Sequence, residues 1–346
     1  MANLMITTAC NFRCSYCFGL DLFGPQQARQ QMPMETFYEL LDWIERGKCP
    51  DTDVHLMGGE PTLHPGFGEM IEEIRRRGRK LAVFSNAATP IDDAVLRRSV
   101  ELETTWIVNC NPPATYRPDQ LKRLRDHLAL LGQAAVVTFN LTDGRTPFEH
   151  VFEYIEQYNL RRNIKLGIAL PTLENRNVHA EWNELPAIAT QVFKLLHEAR
   201  RREIVVEFEC GVPYCLFNEK QHEELKDIHV SHCGSRLDIT PAGNIINCLP
   251  LARMASIPFR RFEDYRQARE WFQRMQSPYR QIGCTSACLT CQHRLSGICS
   301  ACLAFGIGEC NRIALPPLPG AETTISAALA GTEAARPAAV NESTNN

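Results

Sequence analysis

The stretch LMITTACNFRCSYCF, residues 4–18, runs from an apolar strand straight into three closely spaced cysteines. Residues 4–8 have the short apolar and β-branched character of a buried strand. Cys10, Cys14 and Cys17 follow at once as C-x3-C-x2-C. Three thiolates this close can hold an iron–sulfur cluster, yet a four-iron cluster fully ligated by protein takes four. A closed structural zinc site also wants a fourth ligand, usually nearby. The next cysteine is Cys49 and the nearest later histidine is His55, both far down the chain. A three-ligand site at the end of a strand therefore points to an open coordination position for a substrate or cofactor.

Working outward, short apolar runs alternate with longer helical patterns over the first two-thirds of the chain. Strands are predicted at 4–8, 54–57, 81–85, 105–109, 135–141 and 164–170, with helices at 35–45, 67–77, 91–100, 119–131, 148–158 and 184–201. The helix at 35–45 carries Phe37, Leu40, Leu41 and Ile44 at helical spacing. Six strand–helix units in a row imply parallel strands with right-handed crossovers, hence a doubly wound sheet or a partial barrel. Either way, chemistry collects at the C-terminal ends of the strands. The pattern breaks after about residue 203. A strand-like run at 204–208 leads into a cysteine-rich, loop-rich region with one clear helix near 262–275. From 313 the chain is Ala, Pro, Thr, Glu and Asn with almost no aromatics, a composition expected to be disordered.

The chain has 346 residues, 44% hydrophobic and 22% charged, with net charge −3. That is a globular balance with material for a core and no basic field to attract nucleic acid or anionic lipid. The runs Arg75–Arg77 and Arg200–Arg202 end amphipathic segments, where cations suit the helix dipole. Fifteen cysteines fit either a secreted disulfide scaffold or metal sites in a reducing compartment. The count is odd, many cysteines sit two or three residues apart, no signal peptide opens the sequence, and no 18-residue apolar stretch exists. Ligand clusters in a cytoplasmic protein are the expectation, with no membrane and no nucleic-acid partner.

The sequence resembles the radical S-adenosylmethionine (SAM) superfamily. The resemblance rests on C-x3-C-x2-C, with Tyr16 before the last cysteine, and on Gly58-Gly59-Glu60-Pro61 at the end of the second strand. It implies a partial (β/α)6 TIM-like barrel, residues 1–205, and a [4Fe-4S] cluster on Cys10, Cys14 and Cys17 whose open iron takes the methionine end of SAM. It also implies reductive cleavage of SAM to a 5′-deoxyadenosyl radical. Gly58 and Gly59 would allow close backbone approach, and Glu60 would offer a carboxylate to the SAM ammonium. Ser85 and Asn86 close the third strand, Asn109 and Asn111 the fourth. Polar groups there would meet the ribose hydroxyls, although such residues also favour turns for their own sake. Gly167 would let the adenine lie against backbone.

Cys233 and Cys248 frame CGSRLDITPAGNIINC, a C-x9-G-x4-C whose middle reads as a β-hairpin that brings its ends together. This is similar to the SPASM or twitch extension of the same superfamily, here 206–312, ahead of the tail at 313–346. The downstream cysteines depart from that pattern: Cys288, Cys291, Cys299 and Cys302 read C-x2-C-x7-C-x2-C. By analogy, Cys215, Cys233, Cys248 and Cys302 would hold one auxiliary [4Fe-4S] cluster, and Cys288, Cys291, Cys299 and Cys310 a second. One cluster or two remains open, and a zinc ribbon is the competing reading. Cys284 is read as auxiliary, Cys49, Cys110 and Cys210 as plain thiols, and no histidine is assigned. The resemblance further implies hydrogen abstraction from a peptide or protein, giving crosslinking, epimerisation or oxidation, with an electron donor such as flavodoxin or ferredoxin. Oxidation or rearrangement of a small molecule is the alternative, and a non-catalytic iron–sulfur or zinc scaffold the third. No separate leader-binding domain is expected ahead of the first strand.

Overall fold

Along β1 (Ala2–Thr7) the side chains have two destinations. Ala2, Leu4 and Ile6 enter the apolar core under the helices, while Asn3 faces the opposite, concave side. Period-two alternation of this kind sets a strand's two faces, and the following strands repeat it. Val54 and Leu56 join the core, while His55 and Met57 face the concavity. The computed structural model describes residues 1–23, 29–49, 52–172, 177–181, 184–225, 233, 236–252, 255–280, 283, 286–299, 302 and 304. Cys284, Cys310 and the tail at 313–346 lie outside the described residues.

Seven strands run parallel in chain order: β1, β2 (Val54–Gly58), β3 (Leu81–Ser85), β4 (Thr105–Asn109), β5 (Ala135–Leu141), β6 (Asn163–Ile168) and β7 (Val205–Phe208). Between them lie α1 (Leu20–Phe23), α2 (Met34–Arg46), α3 (Phe67–Arg76), α4 (Asp93–Glu101), α5 (Pro118–Leu131), α6 (Glu149–Gln157) and α7 (Leu185–Arg201). This is a partial TIM-like barrel, with the strand–helix alternation expected from the sequence. β7, read as a lead-in to the cysteine-rich region, continues the parallel sheet beside β6. Among the described residues no helix is long and apolar enough to cross a membrane.

The helices stay on the convex side for local reasons. α2 buries Phe37, Leu40, Leu41, Trp43 and Ile44, one face at helical spacing, against the strands. α4 starts where Asp92 accepts the Ala94 N–H at 2.8 Å, an N-cap that places its first turn two residues later than the apolar pattern indicates.

The extension continues the sheet from its other edge. α8 (Glu219–Glu224) leads toward the hairpin of β8 (Leu237–Ile239) and β9 (Asn244–Ile246). Its turn passes through Gly243 at φ +77°, a conformation that suits glycine. β8 pairs in parallel with β1, and β10 (Ile257–Pro258) pairs with β9, giving the order β10-β9-β8-β1-β2-β3-β4-β5-β6-β7. α9 (Tyr265–Arg280) packs on α2, where the Trp43 ring meets Phe259 and Tyr265 and its Nε1 donates to the Phe262 carbonyl at 3.0 Å. α10 (Gln292–Leu295) lies among the last cysteines.

Candidate active site

The cysteine loop leaves the C-terminal end of β1 and folds against the loop that leaves β2. The Gly59 N–H donates to the Thr7 carbonyl at 2.8 Å and the Glu60 N–H to the Ala9 carbonyl at 2.7 Å. Side chains would block that approach. A Cβ on Gly58, at φ +150°, would sit 2.3 Å from the Thr7 oxygen, and one on Gly59 would sit 2.3 Å from the Ala9 oxygen. The two glycines therefore set the distance between the two loops.

All three loop thiols are half-buried and line one cavity of about 320 Å3. Each has an N–H donor: Phe12 N to Cys10 Sγ at 3.4 Å, Gly19 N to Cys17 Sγ at 3.3 Å, and Asn111 Nδ2 to Cys14 Sγ at 3.8 Å. Burial pushes the Cys10 thiol up to about 12 and Cys17 up to about 11, and raises Cys14 as well. Binding a cationic cluster would reverse that preference and release protons. N–H donors aimed at sulfur are what a thiolate-held iron–sulfur group uses to tune its charge. The residues present fit such a group.

Glu60 is 1% exposed and its carboxylate is committed within the protein. It accepts from Thr62 N at 3.2 Å, Thr62 Oγ1 at 2.7 Å, Ser85 Oγ at 2.8 Å and Asn86 N at 2.8 Å. Burial raises its pKa, while the Asn86, Thr62 and Ser85 hydrogen bonds oppose the rise. Glu60 thus ties the end of β2 to the end of β3. Asn86 in turn donates to Asn11 Oδ1 at 2.8 Å, which adds the cysteine loop to the same frame. On the next strand end, Asn109 Nδ2 donates to the Tyr16 hydroxyl at 2.9 Å, and that hydroxyl donates to Asn111 Oδ1. Tyr16, Ser85, Asn86 and Asn109 line the cavity along with Gly58, Gly59 and Glu60, whereas Asn111 stands behind the wall. Gly167 gives its room to Asn140, whose Oδ1 would lie 2.1 Å from a Cβ there.

The concave floor of the cavity holds residues the sequence reading passed over: Asn3, His55, Glu209 and Arg236. Asn3 Nδ2 donates to Asp238 Oδ1 at 2.6 Å, but Asn3 Oδ1 and His55 Nδ1 are buried with no partner among the described residues. Asn3 and His55 are register partners on β1 and β2, so the two residues lie side by side. Burial pulls the His55 pKa down to about 3, so the ring is neutral. Burial also raises Glu209, against the opposing pull of Lys165. The available signal was a single polar residue inside each of two apolar strands, ANLMIT and VHLMG.

In the extension the structure regroups the cysteines. Cys233, Cys248 and Cys302 all pack against Leu251 and Ala304. Cys215 is not with them; it lines a small cavity with Cys288, Cys291 and Cys299. Cys210, read as a plain thiol, lies in the wall of the main cavity, which Leu249, the residue after Cys248, also lines. Among the described residues no three Cys, His, Asp or Glu side chains close to the spacing of ligands on one metal ion.

A partial barrel with three donor-supported thiols at one strand end, facing a glycine loop at the next, defines a cluster-bearing enzyme that binds a small cofactor in the barrel mouth. The comparisons with known proteins agree. The model of the Radical SAM superfamily matches residues 4–231. The cofactor-modifying protein of tungsten-containing aldehyde ferredoxin oxidoreductase from Pyrococcus furiosus is 35% identical over 101 residues, 29% of this chain and 27% of that protein. An S-adenosylmethionine-dependent nucleotide dehydratase from a Thermoplasmatales archaeon is 29% identical over 106 residues, 31% of this chain and 35% of its own. The chain thus matches about a quarter to a third of the length of these curated relatives. Among solved structures, anSMEcpe with bound AdoMet superposes with a TM-score of 0.62 at 15% identity, covering 85% of this chain and 84% of that one. Streptococcus suis SuiB bound to S-adenosylmethionine gives 0.60 at 13% identity, covering 87% and 72%. The protein belongs to the radical SAM superfamily, and membership implies a [4Fe-4S] cluster and SAM.

One prediction follows from the Glu60 frame. Glu60→Ala leaves four donors facing a void, and each buried group without a partner costs about 1–3 kcal/mol. The melting temperature will fall, and SAM affinity by isothermal titration will weaken by about one to two decades, while iron on the loop cysteines stays. Wild-type affinity and stability together would remove Glu60 from the site.

Proposed function

We propose that this enzyme reductively cleaves SAM and abstracts hydrogen from a peptide or protein substrate. A single observation carries the reading: one cavity at the strand ends joins Cys10, Cys14 and Cys17 to the Gly58–Gly59 loop. With the cluster and SAM bound, the pair supplies a primary carbon radical. The chain does the rest. Cys10, Cys14 and Cys17 would hold the cluster. The backbone at Gly58 and Gly59 receives the methionine ammonium, and Glu60 acts as a positioning residue that holds the loop against Ser85 and Asn86. Ser85, Asn86 and Asn109 face the nucleoside. Phe12, Phe18, Phe23 and Phe84 line the walls and exclude water, which would otherwise quench a reactive intermediate. Asn3 and His55 orient the substrate's polar end, and an external flavodoxin or ferredoxin provides the electron.

The peptide class draws support from Streptococcus suis SuiB, whose structure with the precursor peptide SuiA shares the fold at a TM-score of 0.53 and 13% identity. A second reading, a small polar substrate, is favoured by the buried open atoms on the floor. The two separate in one assay. Under anaerobic conditions with SAM and dithionite, 5′-deoxyadenosine is measured after adding either the peptide or the metabolite fraction of a size-separated extract. Stimulation by peptides supports the proposal, and stimulation by metabolites alone replaces it. In the same assay His55→Leu will keep the substrate-free rate but lose about tenfold in stimulated rate, the worth of roughly 1.4 kcal/mol. An unchanged stimulated rate would take His55 out of the substrate contact.

A further inference from the structure

The extension holds eight described cysteines that fall into two places. Cys215 sits on the short turn Tyr214–Leu216, and the Tyr214 N–H donates to Cys299 Sγ at 3.4 Å, which fastens that turn to the last cysteine loop. Cys288, Cys291 and Cys299 complete the lining of the same small cavity, about 20 Å3 in volume. The loop is held in shape by its own bonds: Arg294 Nε to the Cys288 carbonyl at 2.6 Å, and Cys291 N to the same carbonyl at 3.2 Å. The Tyr214 ring stacks on His222 at 3.6 Å and leans on His293 at 4.6 Å, closing the site on one side.

The second place lies at the barrel mouth. Cys210 comes two residues after β7 and lines the main cavity with Arg236 and Leu249. Cys233, Cys248 and Cys302 share an apolar pocket with Leu251 and Ala304. Leu249, next in the chain to Cys248, lines the main cavity as Cys210 does, so the hairpin thiols and Cys210 meet at one wall. Among the described residues each place has four thiols. A four-iron cluster takes four.

We propose, resting on the reading of the extension as cluster-bearing, that Cys210, Cys233, Cys248 and Cys302 ligate one auxiliary four-iron cluster. Cys215, Cys288, Cys291 and Cys299 ligate the other, so that neither cluster needs Cys310. This exchanges two of the roles that the family resemblance implies. Cys215 leaves the hairpin set for the loop set, and Cys210 enters the hairpin set as its upstream ligand. It also gives the clusters different settings. The Cys210 set borders the cavity where substrate sits, and the Cys215 set stands apart behind its aromatic wall.

The test uses the full chain with Cys10, Cys14 and Cys17 replaced by alanine, so that any iron left belongs to the extension. Anaerobic reconstitution should leave about eight irons per chain, two clusters of four. In that background Cys210→Ala and Cys215→Ala should each fall to about four irons, while Cys310→Ala stays at about eight. Loss of iron in Cys310→Ala with full iron in Cys215→Ala would overturn the assignment while leaving the auxiliary clusters standing. Zinc with negligible iron in the background itself would overturn it by removing the reading underneath. If an alanine variant fails to fold, serine replaces it. Cys210→Ser and Cys215→Ser should each shift the electron paramagnetic resonance signal of one reduced cluster, and Cys310→Ser should shift none. A shift in Cys310→Ser alone counts against the proposal.

Discussion

Replacing Cys10, Cys14 and Cys17 together by alanine will abolish conversion of SAM to 5′-deoxyadenosine by the reconstituted, dithionite-reduced protein. The wild type should perform that conversion even without substrate. No other group near the site can take over: among the described residues lining the cavity, the remaining thiol is Cys210, on the far side of the barrel mouth after β7. The loop itself should survive, because its backbone is pinned to the Gly58–Glu60 loop by bonds that involve no cysteine side chain. A melting curve close to wild type, with product at background, is the expected pair of results. Product at the wild-type rate would refute the cluster assignment.

Gly59→Ala should come next in size, although it deletes nothing. The added methyl would lie 2.3 Å from the Ala9 oxygen, 2.7 Å from its carbon and 2.9 Å from the Thr8 oxygen, all backbone atoms with nowhere to turn. The loops must separate, at about 1–3 kcal/mol for overpacking. SAM affinity should fall at least tenfold, since the cofactor spans both loops. Gly68→Ala is the control. That glycine lies on α3, where a Cβ would meet Val95 at an ordinary 3.6 Å, so the variant should bind SAM normally and gain up to about 1 kcal/mol in stability. Equal SAM binding by the two variants would remove the close approach from the argument.

The parallel strands were legible because each presents a β-branched or apolar run between helical patterns, and the strand-end cysteines were legible because their spacing is local. The hairpin was legible for the same reason, its turn residues being adjacent in sequence. What spacing did not reveal is pairing over distance. Cys210 and Cys215 are five residues apart and chemically alike, and only the path of the chain after β7 sends one to the wall of the main cavity and the other to the last loop. Glu60 was legible as the end of the glycine motif, but its four hydrogen bonds, from Thr62, Ser85 and Asn86, come from two strand ends and depend on how those ends converge. Asn3 and His55 gave a weak signal that becomes strong once the strands are seen side by side, because each is then a polar side chain on a buried concave face.

The pairing of β8 with β1 has a consequence for how the protein is made. Asn3 and Asp238 hydrogen-bond across 235 positions of sequence. At about 5–20 residues per second on the ribosome, β1 would wait roughly 12–47 seconds for its second neighbour. Through that interval one edge of β1 carries unpaired backbone donors and acceptors beside an apolar face, the combination that invites pairing with other chains. Synthesis rate and chaperone supply therefore bear on yield before any iron is delivered. A truncation ending before residue 237 would make that temporary edge permanent. Such a fragment should aggregate where the whole chain stays dispersed.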